Sequence, residues 1–333
     1  MIILRYLLFP FSILYGLITS IRNFLFDKGI FKSYSFEIPI IAVGNLSVGG
    51  TGKTPQIEYL IRLLSKDYKI AILSRGYKRK SSGFILADKN ATAEILGDEP
   101  FQMYQKFPNV TVAVDADRRN GITKILELNE KPEVILLDDA FQHRKVKASF
   151  YILLSAYNDL YVDDYILPTG NLRESRNGAK RANIIVITKC PKDLSVEKQE
   201  AIIKKIGLQV PVYFSCIEYD EFVYNENEKI SINQIKQRDK LLLAGIAKPK
   251  PFFDYLQNSN DEKLVYPDHH NFNANDIKEI TSKSTNKIIV TTEKDYVRLK
   301  GENLNDLYYI PIKTSMLCGE EFFDDFVLKH LKK

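Results

Sequence analysis

The stretch Val43-Gly44-Asn45-Leu46-Ser47-Val48-Gly49-Gly50-Thr51-Gly52-Lys53-Thr54-Pro55 decides how this chain folds. An apolar run, residues 38–43, leads into it, and a segment with helical periodicity, residues 56–64, follows it. A strand, a glycine-rich turn and a helix in this order are the context of a phosphate-binding loop. Backbone N–H groups of such a turn surround a phosphate, and the positive end of the helix dipole faces the anion. We therefore predict a nucleotide-phosphate site here.

The residues of this turn have distinct expected roles. Lys53 is expected to reach the β- and γ-phosphates of the nucleotide, and the Thr54 hydroxyl to bind Mg²⁺. The pattern departs from G-x-x-x-x-G-K-[ST] at Ser47, where glycine is usual. A glycine-rich turn without a nucleotide is the alternative, and the terminal Gly-Lys-Thr after an apolar strand argues against it. The predicted nucleotide-binding residues are Ser47, Val48, Gly49, Gly50, Thr51, Gly52, Lys53 and Thr54.

A second acidic pattern complements the loop. Residues 134–137 are apolar and run directly into Asp138-Asp139. A carboxylate at the end of such a strand can hold Mg²⁺ opposite the threonine of a phosphate loop. The pattern is weak alone, because buried strands often end in aspartate, but together with Gly52-Lys53-Thr54 it is strong. Gln142 and His143 follow at once and are placed in the same crevice.

Other polar clusters follow predicted strands or open predicted helices. Since ligands bind beyond the carboxyl ends of parallel strands, these clusters are candidate contacts. Each also has a plain structural interpretation, as a turn or as a helix cap. A guanidinium in the loop of residues 167–174 can bind a phosphate with two hydrogen bonds. The clusters are Ser74-Arg75-Gly76-Tyr77, Gly97-Asp98-Glu99-Pro100, Arg118-Arg119 and Leu172-Arg173-Glu174.

The order of apolar segments predicts a two-domain α/β protein. Residues 37–216 are assigned to a parallel-sheet domain of the P-loop type, and residues 237–333 to a smaller second α/β domain. Between them, residues 217–236 alternate polar and apolar side chains, which predicts a two-stranded linker. The second domain contributes two polar loops, Pro267-Asp268-His269-His270 and Thr291-Thr292-Glu293-Lys294-Asp295. No cysteine or spaced third histidine accompanies the histidine pair, so a zinc site is not favoured.

Composition and charge restrict the class of protein. The chain has 333 residues, of which 45% are hydrophobic and 27% charged, as expected for a folded globular protein. Its formal charge is +5, and the basic residues are clustered in loops, which suits acidic partners such as nucleotides, phosphorylated substrates or anionic lipids. Three widely spaced cysteines suggest neither a disulfide framework nor a zinc pattern, and a reducing, cytoplasmic setting fits them.

Residues 1–36 differ from the rest of the chain. An uncharged run, residues 6–21, is rich in Leu, Ile, Phe and Tyr and is flanked by Arg and Lys. A spanning helix needs about 20 apolar residues, and this run is shorter and contains polar residues and Pro10. We predict a helix that lies on or dips into a membrane surface, with basic residues against anionic head groups. A hydrophobic helix packed on the body of the protein is the alternative.

Together, the blocks quoted above resemble the tetraacyldisaccharide 4′-kinase (lipid A 4′-kinase) family. The resemblance runs in order from the apolar N-terminus to near residue 296, and the joint occurrence of the blocks is specific. The family has the same glycine-rich loop, so Ser47 agrees with it. The chain departs at Ala140, where glycine is common, and at Thr169 and Asn171, where Ala and Pro are common. These departures concern loop shape rather than the charged residues.

The resemblance implies transfer of the γ-phosphate of ATP, with Mg²⁺, to the 4′-hydroxyl of a tetraacylated glucosamine disaccharide 1-phosphate. It places a monotopic or peripheral enzyme of lipid A and lipopolysaccharide biosynthesis at the cytoplasmic face of the bacterial inner membrane. Expected partners are this membrane-held lipid and the anionic membrane surface. Neither nucleic acid nor an obligate protein partner is expected. The implied site residues are catalytic Lys53, Asp98 and His269, metal-binding Thr54, Glu99 and Asp138, and the contacts Tyr77, Arg119, Asp139, Gln142, His143 and Arg173.

Two rival interpretations remain open from the residues alone. One is another P-loop enzyme, such as a carboxylate-activating ligase or a kinase of a soluble acceptor, which the apolar N-terminus disfavours. The other is an ATPase or GTPase switch. Thr188-Lys189 follows a strand as a guanine-reading loop does, but Cys190-Pro191-Lys192-Asp193 does not complete Asn-Lys-x-Asp. Turnover of ATP and of GTP, with and without a lipid acceptor, separates these possibilities.

Overall fold

A computed structural model of the chain describes Arg5 and residues 7–331. Residues 1–4, 6, 332 and 333, which belong to the predicted N- and C-terminal segments, lie outside this part. Within it, the chain forms two α/β units, each built on its own sheet. We call the unit with the nine-stranded sheet the larger layer and the unit with the six-stranded sheet the smaller layer. The predicted α/β class, with a parallel sheet of the P-loop type and a smaller second α/β unit, is confirmed.

The larger sheet has nine strands in the order β15-β8-β7-β6-β1-β5-β2-β4-β3. Its interior strands are parallel, and the two edge strands β3 and β15 are antiparallel to their neighbours. The central strands are buried on both faces, which explains why their sequences are continuous apolar runs. The strands are β1 Ile40–Asn45, β2 Ile70–Ser74, β3 Ile85–Leu86, β4 Thr111–Val114, β5 Val134–Asp138, β6 Phe150–Ala156, β7 Ile184–Thr188, β8 Val212–Tyr219 and β15 Ile312–Met316.

The helices of this layer cover both faces of the sheet. Their apolar sides pack against the strands, as the buried residues Ile57, Leu60, Ile61 and Leu64 of the second helix illustrate. The helices are α1 Phe9–Asp27, α2 Lys53–Leu64, α3 Ala93–Leu96, α4 Asp98–Lys106, α5 Arg118–Leu126, α6 Val196–Ile206 and, from the end of the chain, α11 Glu320–Leu331. Two short 3₁₀ helices, Tyr161–Asp163 and Arg176–Arg181, lie in the connections beside β6 and β7.

The smaller sheet has six strands in the order β10-β9-β14-β13-β11-β12. The last four strands in this order are parallel, and the hairpin β9–β10 is antiparallel at one edge. The elements are β9 Phe222–Tyr224, β10 Lys229–Ser231, α7 Ile232–Lys236, β11 Lys240–Ala244, α8 Lys250–Leu256, β12 Glu262–Val265, α9 Ala274–Lys283, β13 Ile288–Thr292, α10 Glu293–Leu299 and β14 Leu307–Ile310.

The strand pairing divides the chain differently from the predicted domain boundaries at two places. The hairpin assigned to a separate linker, residues 217–236, instead pairs β9 with β14 and extends the smaller sheet. The end of the predicted second domain, residues 237–333, returns to the larger layer: β15 pairs with β8, and Phe323 of α11 belongs to the buried core of that layer. Pro311 separates β14 from β15, so the residues on its two sides enter different sheets.

Helix α1 has one buried face of small and polar residues and one exposed apolar face. Ser12, Gly16 and Thr19 are buried against the body of the protein, whereas large apolar side chains of the opposite face, among them Leu14 and Leu17, are exposed. The helix is long and apolar enough to cross a membrane, a property that some core helices of soluble proteins share. Its polar face is hydrogen-bonded to the loop of residues 167–174. Ser12 Oγ donates to Thr169 Oγ1 over 2.7 Å, and Asn23 Nδ2 donates to Glu174 Oε2 over 2.6 Å.

Gly44 tests how tightly the core beneath the loop is packed. A Cβ at this position would stand 2.7 Å from the Cβ of Phe141 and 2.9 Å from its backbone nitrogen. Because either the strand or Phe141 must move, we expect Gly44→Ala to lower the free energy of unfolding by about 1–3 kcal/mol. Gly301→Ala is the matched control, since nothing lies within 4 Å of its added Cβ. Denaturant unfolding measures both variants, and equal losses would contradict the packing argument.

Candidate active site

The glycine-rich loop is fixed by hydrogen bonds to its surroundings. Gly49 and Gly52 have positive φ angles of 108° and 82°, a region that favours glycine. Asn45 Nδ2 donates to Thr51 Oγ1 over 2.8 Å, and Thr188 Oγ1 donates to the Thr51 carbonyl over 2.7 Å. Helix α2 begins directly afterwards, at Lys53. The loop therefore presents a helix N-terminus preceded by glycines, as phosphate binding requires.

The register of the larger sheet brings the acidic pair to this loop. Val43 of β1 pairs with Asp138 of β5, so both strands end at the same edge. Burial and the adjacent Asp139 raise the pKa of Asp138 to about 6, and the Lys53 charge opposes this rise. Ser74 Oγ donates to Asp138 Oδ2 over 3.1 Å. The edge thus concentrates negative charge that a cation would stabilise.

Asp139 joins the loop to the basic loop of residues 167–174. Its carboxylate lies 3.4 Å from Lys53 Nζ and 3.0 Å from a terminal nitrogen of Arg173. Burial alone would raise the pKa of Asp139, but Lys53 and Arg173 outweigh that effect and lower it. The backbone of the same loop supports the glycine-rich loop, since Val48 N donates to the Asn171 carbonyl over 2.8 Å. The structure therefore brings Lys53, Asp139 and Arg173 together.

Asp98 and His269 meet across the two layers. Asp98 opens α4 in the larger layer, and His269 lies in the loop after β12 in the smaller one. His269 Nδ1 lies 3.0 Å from Asp98 Oδ2, and the aromatic ring of Tyr77 stands edge-on to the imidazole with 5.5 Å between ring centroids. The backbone at His269 has a positive φ of 59°. This pair, which the resemblance implied, is formed in the structure.

Two cations of α10 complete this group and were not in the predicted site. Arg298 donates from Nε to Asp98 Oδ1 over 3.0 Å and from a terminal nitrogen to Asp98 Oδ2. Lys294 Nζ lies 2.9 Å from His269 Nε2 and 3.4 Å from Glu99 Oε1. The Thr292-Glu293-Lys294-Asp295 block pointed to this helix, whereas Arg298 lies one turn further on, where no sequence signal marked it.

These contacts set the charge state of the Asp98 carboxylate. Lys294 and Arg298, which can only donate, face the two ring nitrogens of His269, Nε2 over 2.9 Å and Nδ1 over 3.1 Å. Burial would raise the pKa of Asp98, but the hydrogen bonds from His269 and Arg298 outweigh it and hold that pKa well below its usual range. Asp98 is thus an oriented, ionised carboxylate.

The remaining predicted contacts fall into two groups. Gln142 lies in the crevice, where its Nε2 donates to the Asn45 carbonyl over 2.8 Å and to Glu174 Oε1 over 3.1 Å. His143 is half-buried, and burial together with Arg118 lowers its pKa to about 4, so it is neutral at physiological pH. Arg119 instead lies over the aromatic ring of Tyr34, 3.7 Å from its centroid. The structure therefore links Arg119 to the segment that follows α1.

The predicted magnesium residues fit the chemistry of that ion. Thr54, Asp138 and Glu99 offer only oxygen atoms, and the Glu99 charge contributes to the raised pKa of Asp138. Within the described part of the chain, no group of three or more His, Cys, Asp or Glu residues is arranged to hold a metal by itself. The oxygen donors of Thr54, Asp138 and Glu99 suit Mg²⁺, which proteins usually hold by one or two carboxylates together with substrate phosphates.

The fold and the site define a P-loop kinase: a phosphate-binding loop with its lysine, a carboxylate at the neighbouring strand end and an oriented carboxylate–imidazole pair across the cleft. Residues 4–332 match the family model described as tetraacyldisaccharide-1-P 4′-kinase. The chain belongs to this family and is a kinase of lipid A biosynthesis.

Individual relatives support the assignment over the whole length. The chain is 65% identical over 334 residues to the tetraacyldisaccharide 4′-kinase of Flavobacterium johnsoniae, covering 99% of this chain and 98% of the relative. It is 43% identical over 347 residues to that of Phocaeicola vulgatus, covering 98% and 95%. The crystal structure of LpxK from Aquifex aeolicus in complex with ATP is similar, with a TM-score of 0.82, 33% identity and coverage of 98% and 99%.

Proposed function

We propose that the cleft between the two layers transfers the γ-phosphoryl group of ATP to the 4′-hydroxyl of a tetraacylated glucosamine disaccharide 1-phosphate. The observation that carries this proposal is the meeting of Asp98 with His269 at the same side of the molecule as Lys53 and Asp138. Glu99 links the two groups, since it contacts Lys294 and acts on Asp138. A donor site and an activating carboxylate side by side are what phosphoryl transfer to an alcohol requires.

The donor half of the reaction rests on the glycine-rich loop. ATP binds with its phosphates against the backbone N–H groups of Ser47 to Thr54 and the N-terminus of α2. The Lys53 ammonium then contacts the phosphates, in place of or in addition to Asp139, and stabilises the charge that develops on the transferring phosphoryl group. Arg173 and Gln142 contact the nucleotide or the acceptor at the edge of this site. Thr54, Asp138 and Glu99 would hold Mg²⁺, which would neutralise phosphate charge.

The acceptor half rests on Asp98 and its partners. His269, held by Lys294, orients the carboxylate so that one oxygen faces the incoming 4′-hydroxyl. A carboxylate with a low pKa is a weak base, so it does not ionise the free alcohol. It takes the proton late, as the new O–P bond forms and the hydroxyl becomes acidic, in keeping with a loose transition state. Tyr77, His143 and Arg119 are proposed to line the path of the acceptor.

The enzyme must reach the membrane to phosphorylate an acylated disaccharide, because such a substrate stays in the bilayer. We propose the cytoplasmic face of the bacterial inner membrane, where ATP is available. The exposed apolar face of α1 would enter the interface, and the exposed Lys28 and Lys32 would meet anionic head groups. The polar face of the same helix stays hydrogen-bonded to the body of the protein.

Point variants on the exposed face of α1 test this attachment without removing the contacts of its polar face. We expect Leu14→Glu with Leu17→Glu to lower the fraction of protein that sediments with anionic phospholipid vesicles, because buried apolar area is lost and repulsion added. Thermal unfolding should be unchanged, since both side chains are more than half exposed. Val196→Glu, an exposed apolar residue on α6, is the control. Unchanged sedimentation of the double variant would contradict the proposal.

The reaction itself is tested by mass spectrometry of the lipid product, with ATP and with GTP. The expected product carries one added phosphate at the 4′ position, and its formation depends on ATP and on the lipid. A nucleotide switch would instead hydrolyse GTP without any acceptor. A kinase of another acceptor would leave the disaccharide unchanged.

A further inference from the structure

The three helices that carry site residues are joined by one ionic cluster outside the catalytic groups. Glu58 lies on α2, one turn after Thr54; Lys106 ends α4, which begins with Asp98; Glu293 begins α10, which carries Lys294 and Arg298. Lys106 Nζ lies 2.9 Å from Glu58 Oε2 and 2.8 Å from Glu293 Oε1. We call these three residues the Glu58–Lys106–Glu293 cluster.

The cluster is held in place on the side of the larger layer. Glu58 is 1% exposed, and its two carboxylate oxygens accept hydrogen bonds from Gln102 over 3.2 Å and from Arg62 over 2.9 Å. Lys106 is anchored through this fixed carboxylate. Its second partner, Glu293, comes from the smaller layer, so the lysine is the bridge that joins the layers at this point.

Without the charge of Lys106, the carboxylates of Glu58 and Glu293 repel each other. Burial and the Glu58 charge raise the pKa of Glu293 to about 7, while Lys106 and Arg62 lower it. Removing Lys106 would therefore favour protonation of Glu293 or its movement away from Glu58. Either change loosens the start of α10, and with it the two cations that hold Asp98 and His269.

We propose that Lys106 is a positioning residue for phosphoryl transfer, which fixes α10 against α2 and α4 so that Asp98 and His269 stay aligned with the phosphate loop. This rests on the proposed function of Asp98 and His269. Lys106 contacts neither nucleotide nor acceptor in this assignment. Its loss should lower the rate of the transfer step while leaving nucleotide affinity intact, because the glycine-rich loop does not depend on α10.

The test uses the full-length chain with ATP and the lipid disaccharide 1-phosphate. Lys106→Met is expected to lower kcat about 10-fold or more, since a displacement of about 1 Å can cost up to 10²-fold, with KM for ATP nearly unchanged. Lys106→Arg should restore most of kcat by keeping the charge between the two carboxylates. Glu293→Gln, which weakens the same bridge from the other layer, should lower kcat in the same direction.

Lys287→Met is the matched control. Lys287 is comparably buried and pairs with Glu262 over 2.6 Å, but both residues belong to the smaller layer. It should lower stability without a selective loss of kcat. Wild-type kcat in folded Lys106→Met would overturn the inference, as would a rise in KM for ATP that accounts for the whole loss. Failure of the wild-type enzyme to add a 4′-phosphate would instead refute the proposed function.

Discussion

Asp98→Asn is expected to lower kcat for 4′-phosphorylation by about 10²-fold or more, because general-base assistance contributes about 10²–10⁴-fold to such reactions. Asparagine keeps the size of the side chain but accepts no proton, and it loses the ion pair with Arg298. His269→Ala is expected to act in the same direction, since it removes the group that orients the carboxylate. An assay with radiolabelled ATP measures both.

The neighbouring histidine provides a matched control for this pair. His270 Nε2 lies 2.8 Å from Asp276 Oδ2, so it forms a histidine–carboxylate pair of similar geometry one residue further along the same loop. Because the His270 side chain contacts Asp276, a residue of the capping box of α9, rather than Asp98, His270→Gln should retain most of the turnover. Near-normal turnover in Asp98→Asn or His269→Ala would remove that residue from the catalytic pair. Similar losses in all three variants would indicate a general effect on the loop.

Lys53→Met is expected to lower kcat by about 10²–10³-fold, the usual cost of removing one preorganised group that stabilises transition-state charge. KM for ATP should also rise, because the same ammonium contacts the phosphates before the reaction. Steady-state kinetics separate the two effects. Lys205→Met serves as the control, since Lys205 of α6 forms an exposed ion pair with Asp163 of the 3₁₀ helix Tyr161–Asp163, and its loss should change neither parameter. A variant that lost only ATP affinity would indicate that Lys53 binds substrate without favouring the transition state.

Residues that lie together in the sequence could be predicted with little help from tertiary structure. The glycine-rich loop and Asp138 are read from short patterns, because a strand, a turn and a helix N-terminus are local features. The proximity of Lys53 to the Asp138-Asp139 pair also follows from parallel strands that end at one edge, whereas the contact of Arg173 with Asp139 depends on the path of a long loop. The pairing of Asp98 with His269, by contrast, came only from the family resemblance, since the two residues lie far apart in the chain.

The contacts that were missed are those made between the layers. Arg298 lies within a short helix with no motif of its own, and only the packing of that helix places it on Asp98. The return of β15 to the larger sheet was missed for a similar reason. Its alternating sequence, Ile312–Met316, fits an edge strand of either sheet, and the choice depends on the partner strand rather than on local propensity.

The return of β15 makes the smaller layer an insertion into the larger one rather than an appended domain. The chain leaves by β8 and comes back by β15, and Tyr219 and Ile312, at the two crossings, are paired neighbours. Because the two chain crossings are adjacent, we expect any movement of the smaller layer against the larger one to be mainly a rotation about them. Such a rotation would carry His269, Lys294 and Arg298 together towards or away from Asp98.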